Sequence, residues 1–166
     1  AMKHILVSLV GDQTVPNILA VNHFKPDELL FITSEEMEKK GKTSHALACL
    51  TGMGLDYDSR HHKIEIVEDS TLDCHRKLDE WIVGREDCDY TVNLTGGTKI
   101  MSISVYDYFK DLESRRMIYI PVGKNEYVTP FSKRTVNRAV PISMRLKVAD
   151  YLAAYGLTIV NREKLP

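Results

Sequence analysis

Two short loops carry residue types that can hold an anion. Gly11-Asp12-Gln13-Thr14 follows the apolar run Ile5-Leu6-Val7-Ser8-Leu9-Val10, and Asn93-Leu94-Thr95-Gly96-Gly97-Thr98-Lys99 follows Tyr90-Thr91-Val92. In the second loop the paired glycines let main chain approach a ligand closely. The amides of a following helix turn would point at that ligand, where the helix dipole favours negative charge. Thr95 and Thr98 add hydroxyl donors, and Lys99 adds a positive charge. The same residues also fit a plain glycine turn with an ordinary N-cap, and spacing alone leaves both readings open. In the first loop Asp12 or Thr14 could cap a helix, while the carboxamides of Gln13 and Asn17 suit a base edge that needs both a donor and an acceptor. Neither loop is a Walker loop or the dinucleotide fingerprint, since GxxxxGK[ST] and GxGxxG are both absent.

The elements that must position these loops alternate regularly. Strands are expected at Lys3–Val10, Glu28–Thr33, Lys63–Val67, Tyr90–Leu94 and Met117–Val122. Between them fall helical patterns. The first carries Val15, Ile18, Leu19 and Asn22, with Pro16 in its first turn. The second is capped by Ser34 and runs towards Thr51, and the third starts at Ser70 or Thr71 with Leu72, His75, Leu78 and Ile82 on one face. The fourth spans Thr98 to Leu112 and is apolar on more than one side, which suits either a deep core or a second subunit. Such alternation predicts an α/β, Rossmann-like doubly wound, mainly parallel sheet. In that topology the first and fourth strands are neighbours and ligands bind outside their carboxyl ends, so both loops should face one crevice. The turn Gly123-Lys124-Asn125 leads into Glu126–Thr129 and predicts a C-terminal antiparallel hairpin at the sheet edge.

The chain is expected to divide into a ligand-binding domain over residues 1–140 and an extension over 141–166 leading towards a further domain. The extension holds a short helix from Lys147 to Tyr155, then Leu157–Val160, which has no later segment to pair with. With 22 Lys+Arg against 23 Asp+Glu, the 166-residue protein lacks the broad basic field that long nucleic acids need. Any phosphate recognition is therefore local. Cys49, Cys74 and Cys88 are odd in number and show no CxxC spacing, consistent with reduced thiols in a cytoplasmic protein. No apolar run approaches the roughly 18 residues that suggest a membrane span. His61-His62 lack an obvious third ligand, and His4, His23, His45 and His75 are scattered, so neither a metal nor a cofactor is expected. Nucleophile elbow, HExxH and paired-carboxylate motifs are absent, and no catalytic residue is assigned.

Taken together, Val7-Ser8-Leu9-Val10-Gly11-Asp12-Gln13-Thr14-Val15-Pro16-Asn17 and Asn93-Leu94-Thr95-Gly96-Gly97-Thr98-Lys99 resemble the CRISPR-associated Rossmann-fold (CARF) sensor domains. The nearest branch is that of the type III CRISPR ancillary effectors, and the resemblance covers roughly residues 3 to 155. Asp150-Tyr151-Leu152-Ala153-Ala154-Tyr155-Gly156 resembles that branch's exit from the sensor. The resemblance implies a homodimer whose shared cleft binds a cyclic oligoadenylate, most often the four-membered ring, and signals to a covalently linked effector. It implies binding positions at Asp12, Gln13, Thr14 and Asn17, at Thr95, Gly96, Gly97, Thr98 and Lys99, and at Thr33, Ser34 and Glu35. Gly11 and Asn93 complete the two loops. Some relatives also cleave the ring without metal, using its own 2′-hydroxyl, so a ring nuclease is the enzymatic alternative. A Rossmann-like nucleotide enzyme or a transcription regulator, meeting DNA through Lys133 to Arg138, is a third class that the neutral charge disfavours.

Overall fold

The structure is a computed structural model that describes residues 2–113, 115–132, 138–142 and 146–157. Five strands, β1 (His4–Leu9), β2 (Glu28–Thr33), β3 (His61–Glu65), β4 (Asp89–Asn93) and β5 (Arg115–Ile118), form one sheet in the order β3-β2-β1-β4-β5. Every pairing in it is parallel. The expected doubly wound topology is therefore present, with β1 at the centre beside β4. Successive residues of β1 serve opposite faces. Leu6 and Val10 enter a core with α1 (Val15–Phe24), α3 (Lys42–Gly52) and α6 (Val148–Ala154). Ile5, Val7 and Leu9 enter a second core with α4 (Thr71–Ile82) and α5 (Lys99–Phe109). A strand buried on both faces reads as a continuous apolar run, as β1 and β2 do.

Several boundaries differ from the sequence-based expectation. The single helix expected from Ser34 towards Thr51 is two, α2 (Glu35–Lys39) and α3, because Gly41 takes a left-handed conformation (φ 68°) and turns the chain. Strand β3 starts two residues early, at His61, where it pairs with Leu29. Strand β5 starts at Arg115, ahead of its apolar run. On α4, Leu78 is buried as expected, but Leu72 is 68% exposed and Cys74 supplies the buried face in its place. The turn at residues 121–124 brings Val128 back to Tyr119 in one antiparallel bridge. The small antiparallel sheet itself pairs β6 (Glu126–Tyr127) with β7 (Val140–Pro141). Ile142, Leu146 and Ala154 are buried in the α1–α3 core, so the described part of the extension packs on the domain. The basic stretch at 133–137 and residues 158–160 lie outside the described residues.

What positions the site is the meeting of two chain reversals, at the carboxyl ends of β1 and β4. Gly96 lies against the Leu9 carbonyl so closely that a Cβ there would overlap the Leu9 oxygen. A Cβ on Gly11 would stand 2.8 Å from the Gly97 amide nitrogen. Main chain packs on main chain, and only glycine fits. Gly96→Ala is expected to destabilise the fold by about 1–3 kcal/mol, the usual cost of forcing extra volume into a packed site, as read by urea denaturation.

A second expectation concerns pH. His4 at the head of β1 shares a 2.8 Å hydrogen bond with the Thr91 hydroxyl, and burial holds its pKa below the usual value. Burial acts in the same direction on His23 and His62. A depressed folded-state pKa means that the folded chain prefers the neutral ring. This stability is complete above the unfolded value of about 6.5 and is lost as pH falls below it. The melting temperature should therefore decline from about pH 7 to pH 5, and more shallowly in His4→Gln.

Candidate functional site

Beneath the two loops lies a small buried polar network. Asn17 is buried on α1, and its Nδ2 donates to Ser8 Oγ at 2.7 Å and to the Leu9 carbonyl at 2.8 Å. Asn93, at the end of β4, donates to the same Ser8 Oγ at 3.4 Å and to the Pro16 carbonyl at 3.3 Å. Its Oδ1 accepts from the Thr95 amide and from the Thr95 hydroxyl, at 3.2 and 2.6 Å. Thr95 Oγ1 in turn accepts from the Ile120 amide at 2.9 Å. Polar side chains survive in a core when they are hydrogen-bonded. Here they join β1, α1, β4 and the segment after β5, and so fix the height of both loops. Asn17 and Asn93 are buried and Thr95 is half-buried, and through these bonds all three hold the two loops in place.

Above the network the second loop opens into α5. Gly97 turns with φ 77°, and Thr98 caps the helix by accepting from the Met101 amide at 3.2 Å. The cap serves Met101, and the amides ahead of it in the first turn have no intrahelical acceptors. They face outward at the positive end of the helix dipole. Lys99 is exposed at this end and has no ion-pair partner among the described residues. A cation opposes the dipole at a helix N-terminus, so helix stability gives no reason for a lysine here.

The first loop is engaged differently. Asp12 is exposed and pairs with Lys40 Nζ at 2.9 Å, and its main-chain carbonyl accepts from Lys42 Nζ at 3.0 Å. The hydrogen bond from Lys40 holds the Asp12 carboxyl below the usual carboxylate range. Gln13 is exposed, and its Oε1 accepts from the Tyr155 hydroxyl at 2.6 Å. Thr14 is fully buried and makes no side-chain cap; its hydroxyl donates to the Ala154 carbonyl at 2.6 Å. At the end of β2, Thr33 and the following Ser34 are buried, Ser34 Oγ accepts from the Met37 amide at 3.4 Å, and Glu35 is exposed and pairs with Lys39. Helix α2 leads from there to Gly41, whose turn sends Lys40 and Lys42 to the first loop. Lys40, Lys42 and Tyr155 are members of this constellation that sequence reasoning missed. The lysines flank a lone glycine inside a helical pattern, which is the one local signal that pointed to them.

The remaining chemistry is quiet. Cys49 and Cys74 are buried, and burial pushes both thiols up to about 11, out of the reactive range. Among the described residues no three His, Cys, Asp or Glu side chains gather to hold a metal, and no helix is long and apolar enough to cross a membrane. A cavity of about 890 Å³ lies at the far end of the sheet, between the end of α5, Arg115, Arg116 and Phe131. It shares no residue with the two loops.

A family model described as the Card1 CARF domain matches residues 5–151. No curated protein matches the sequence. Among solved structures, Can2 from Sulfobacillus thermosulfidooxidans in complex with cyclic tetra-adenylate is similar at TM-score 0.79 and 20% identity, over 96% of this chain and 43% of that one. Protein VC1899 from Vibrio cholerae is similar at TM-score 0.73 and 15% identity, over 92% and 39%. A type III CRISPR defence DNA nuclease activated by cyclic oligoadenylate is similar at TM-score 0.67 and 23% identity, over 90% and 23%. The chain therefore spans less than half the length of each, and at these identities the likeness is one of fold. The family match runs from the second residue of β1 into α6 and takes in both loops, and by it the chain belongs to the Card1 CARF domain family.

Proposed function

We propose that this domain binds a cyclic oligoadenylate, cyclic tetra-adenylate foremost, in the shared cleft of a homodimer, and that binding controls a linked effector in type III CRISPR antiviral defence. One observation carries the reading. At the carboxyl ends of β1 and β4, a surface of bare main chain meets the first-turn amides of α5 and the exposed cation of Lys99. Such a place suits a phosphodiester and requires no metal. A near-neutral protein can then bind a polyanion because the positive groups converge locally. Family membership and the cyclic tetra-adenylate bound to the similar Can2 structure support the choice of ligand.

A homodimer fits the outer face of α5. Met101, Val105 and Phe109 fill the core, but Ile103 is 60% exposed and Ile100 is 42% exposed. Leu72 on the adjoining α4 is also exposed, the two helices being joined by a 2.9 Å bond between Thr71 and Ser104 hydroxyls. A two-fold axis beside this face would set two copies of Lys99 around a ring that can itself be two-fold symmetric. Ile103→Asp is expected to give a monomer by light scattering with little change in melting temperature. Tyr106 packs on Phe131 with ring centroids 4.7 Å apart, so Tyr106→Asp should lower the melting temperature instead. A parent chain that is monomeric at tens of micromolar, with and without ligand, would remove the dimer.

Lys99→Ala tests the pocket. A charge-assisted contact is worth roughly 1.5–3 kcal/mol, and a symmetric site loses two of them. Calorimetry with synthetic cyclic tetra-adenylate should therefore show at least about a hundredfold weaker binding, at a nearly unchanged melting temperature. Equal affinity in parent and variant would refute the assignment. After prolonged incubation a sensor returns intact ring. Cleavage that persists in EDTA and leaves a cyclic 2′,3′-phosphate would make the domain a metal-independent ring nuclease.

A further inference from the structure

The first loop is tied to a segment far away in sequence by contacts that phosphate binding does not require. Asp12, Gln13 and Thr14 meet Lys42, Tyr155 and Ala154 in turn, and the Lys42 ammonium also lies 5.5 Å from the centroid of the Tyr155 ring. Lys42 therefore bridges Asp12, the residue before Gln13, and Tyr155. Of these contacts, only the Gln13–Tyr155 bond lies on an exposed side chain able to reach a base.

Tyr155 is a firm post for such a bond. It closes α6, which packs on α3, and Ala154 beside it is fully buried. Cys49 Sγ on α3 donates to the Asp150 carbonyl at 3.3 Å. Gly156, the next residue, passes so near His45 that a Cβ would stand 2.6 Å from the imidazole ring. The end of α6 thus cannot slide along α3 without breaking several contacts. Gln13, by contrast, is a long exposed side chain that loses much rotamer freedom whenever a ligand immobilises it. A hydrogen bond to a fixed phenol removes that freedom before the ligand arrives, which is how preorganisation raises affinity. With Oε1 held by the phenol, the amide nitrogen is left to donate to an acceptor such as a ring nitrogen of adenine.

We propose that Tyr155 is a positioning residue of the ring site, holding the Gln13 carboxamide in the orientation that meets the base and thereby coupling ring occupancy to the docking of α6. The proposal rests on the cyclic oligoadenylate reading above. Coupling of this kind is reciprocal, so whatever Tyr155 adds to ring affinity the ring returns to the hold on α6.

The experiment is a double-mutant cycle by calorimetry with synthetic cyclic tetra-adenylate, on the parent, Tyr155→Phe, Gln13→Ala and the double variant. Phenylalanine keeps a ring beside Lys42 and removes only the hydroxyl. Tyr155→Phe is expected to bind about 3- to 10-fold more weakly, and to cost nothing further in the Gln13→Ala background. In parallel, the ring should slow hydrogen exchange at the Tyr155, Gly156 and Leu157 amides, which bond back to Leu152 and Ala153, and should slow it less in Tyr155→Phe. Equal affinity of Tyr155→Phe and parent, an equal loss in both backgrounds, or exchange that ignores the ring would each overturn the proposal while leaving ring binding in place. A parent that binds no ring would overturn the binding reading itself, and this inference with it.

Discussion

Everything at the candidate site depends on a contact that contains no side chain. Gly96 rests on the Leu9 carbonyl and Gly11 on the Gly97 amide, so the turns leaving β1 and β4 share one van der Waals surface. A single Cβ on either side would part them. Because the turns touch, their free amides and the start of α5 lie within the reach of one small anion. Because they touch through main chain, their relative height cannot be set by side chains at the surface. It is set from beneath, by Asn17 and Asn93 meeting on the Ser8 hydroxyl. Buried amide donors are costly unless each finds an acceptor, and the two Nδ2 groups do, which makes them good gauges of position. The buried Asn17 Oδ1 has no partner among the described residues.

The electrostatics follow the same division between scaffold and surface. Positive charge is gathered at two heights: Lys99 at the head of α5, and Lys40 with Lys42 at the α2–α3 corner. The second pair is held by Asp12, and exposed ion pairs of this kind contribute little to stability. Their effect is to keep two flexible ammonium groups near the first loop instead of dispersed in solvent.

Much of the fold was legible because the strong signals were local. Continuous apolar runs marked β1 and β2, Ser34 marked one helix start and Ser70 or Thr71 another, and the structure puts the Ser34 and Ser70 hydroxyls on first-turn amides. Gly41 was harder, since one glycine in a helical pattern reads as a tolerated weakness until its left-handed φ is seen. Leu72 misled because an apolar stripe tells which residues could be buried, and the neighbouring helix decides which are. At the site, residue types identified the loops but not the direction of the side chains. Asn17 and Asn93 carry donors and acceptors whether they face a ligand or a core. Tyr155 was out of reach altogether: its partner lies 142 positions away, and no local pattern encodes that pairing.

The parallel order of the sheet has a consequence for how the molecule comes into being. Ser8 and Asn93 sit side by side but are separated by 85 residues, and the strands between them must be laid down before the central pair can close. Contacts so distant in sequence form late and slowly, since loop closure is unfavourable until the intervening chain has packed. During synthesis the first loop emerges with half of its surroundings missing. The anion-holding surface therefore exists only once both loops and the strands that carry them have come together.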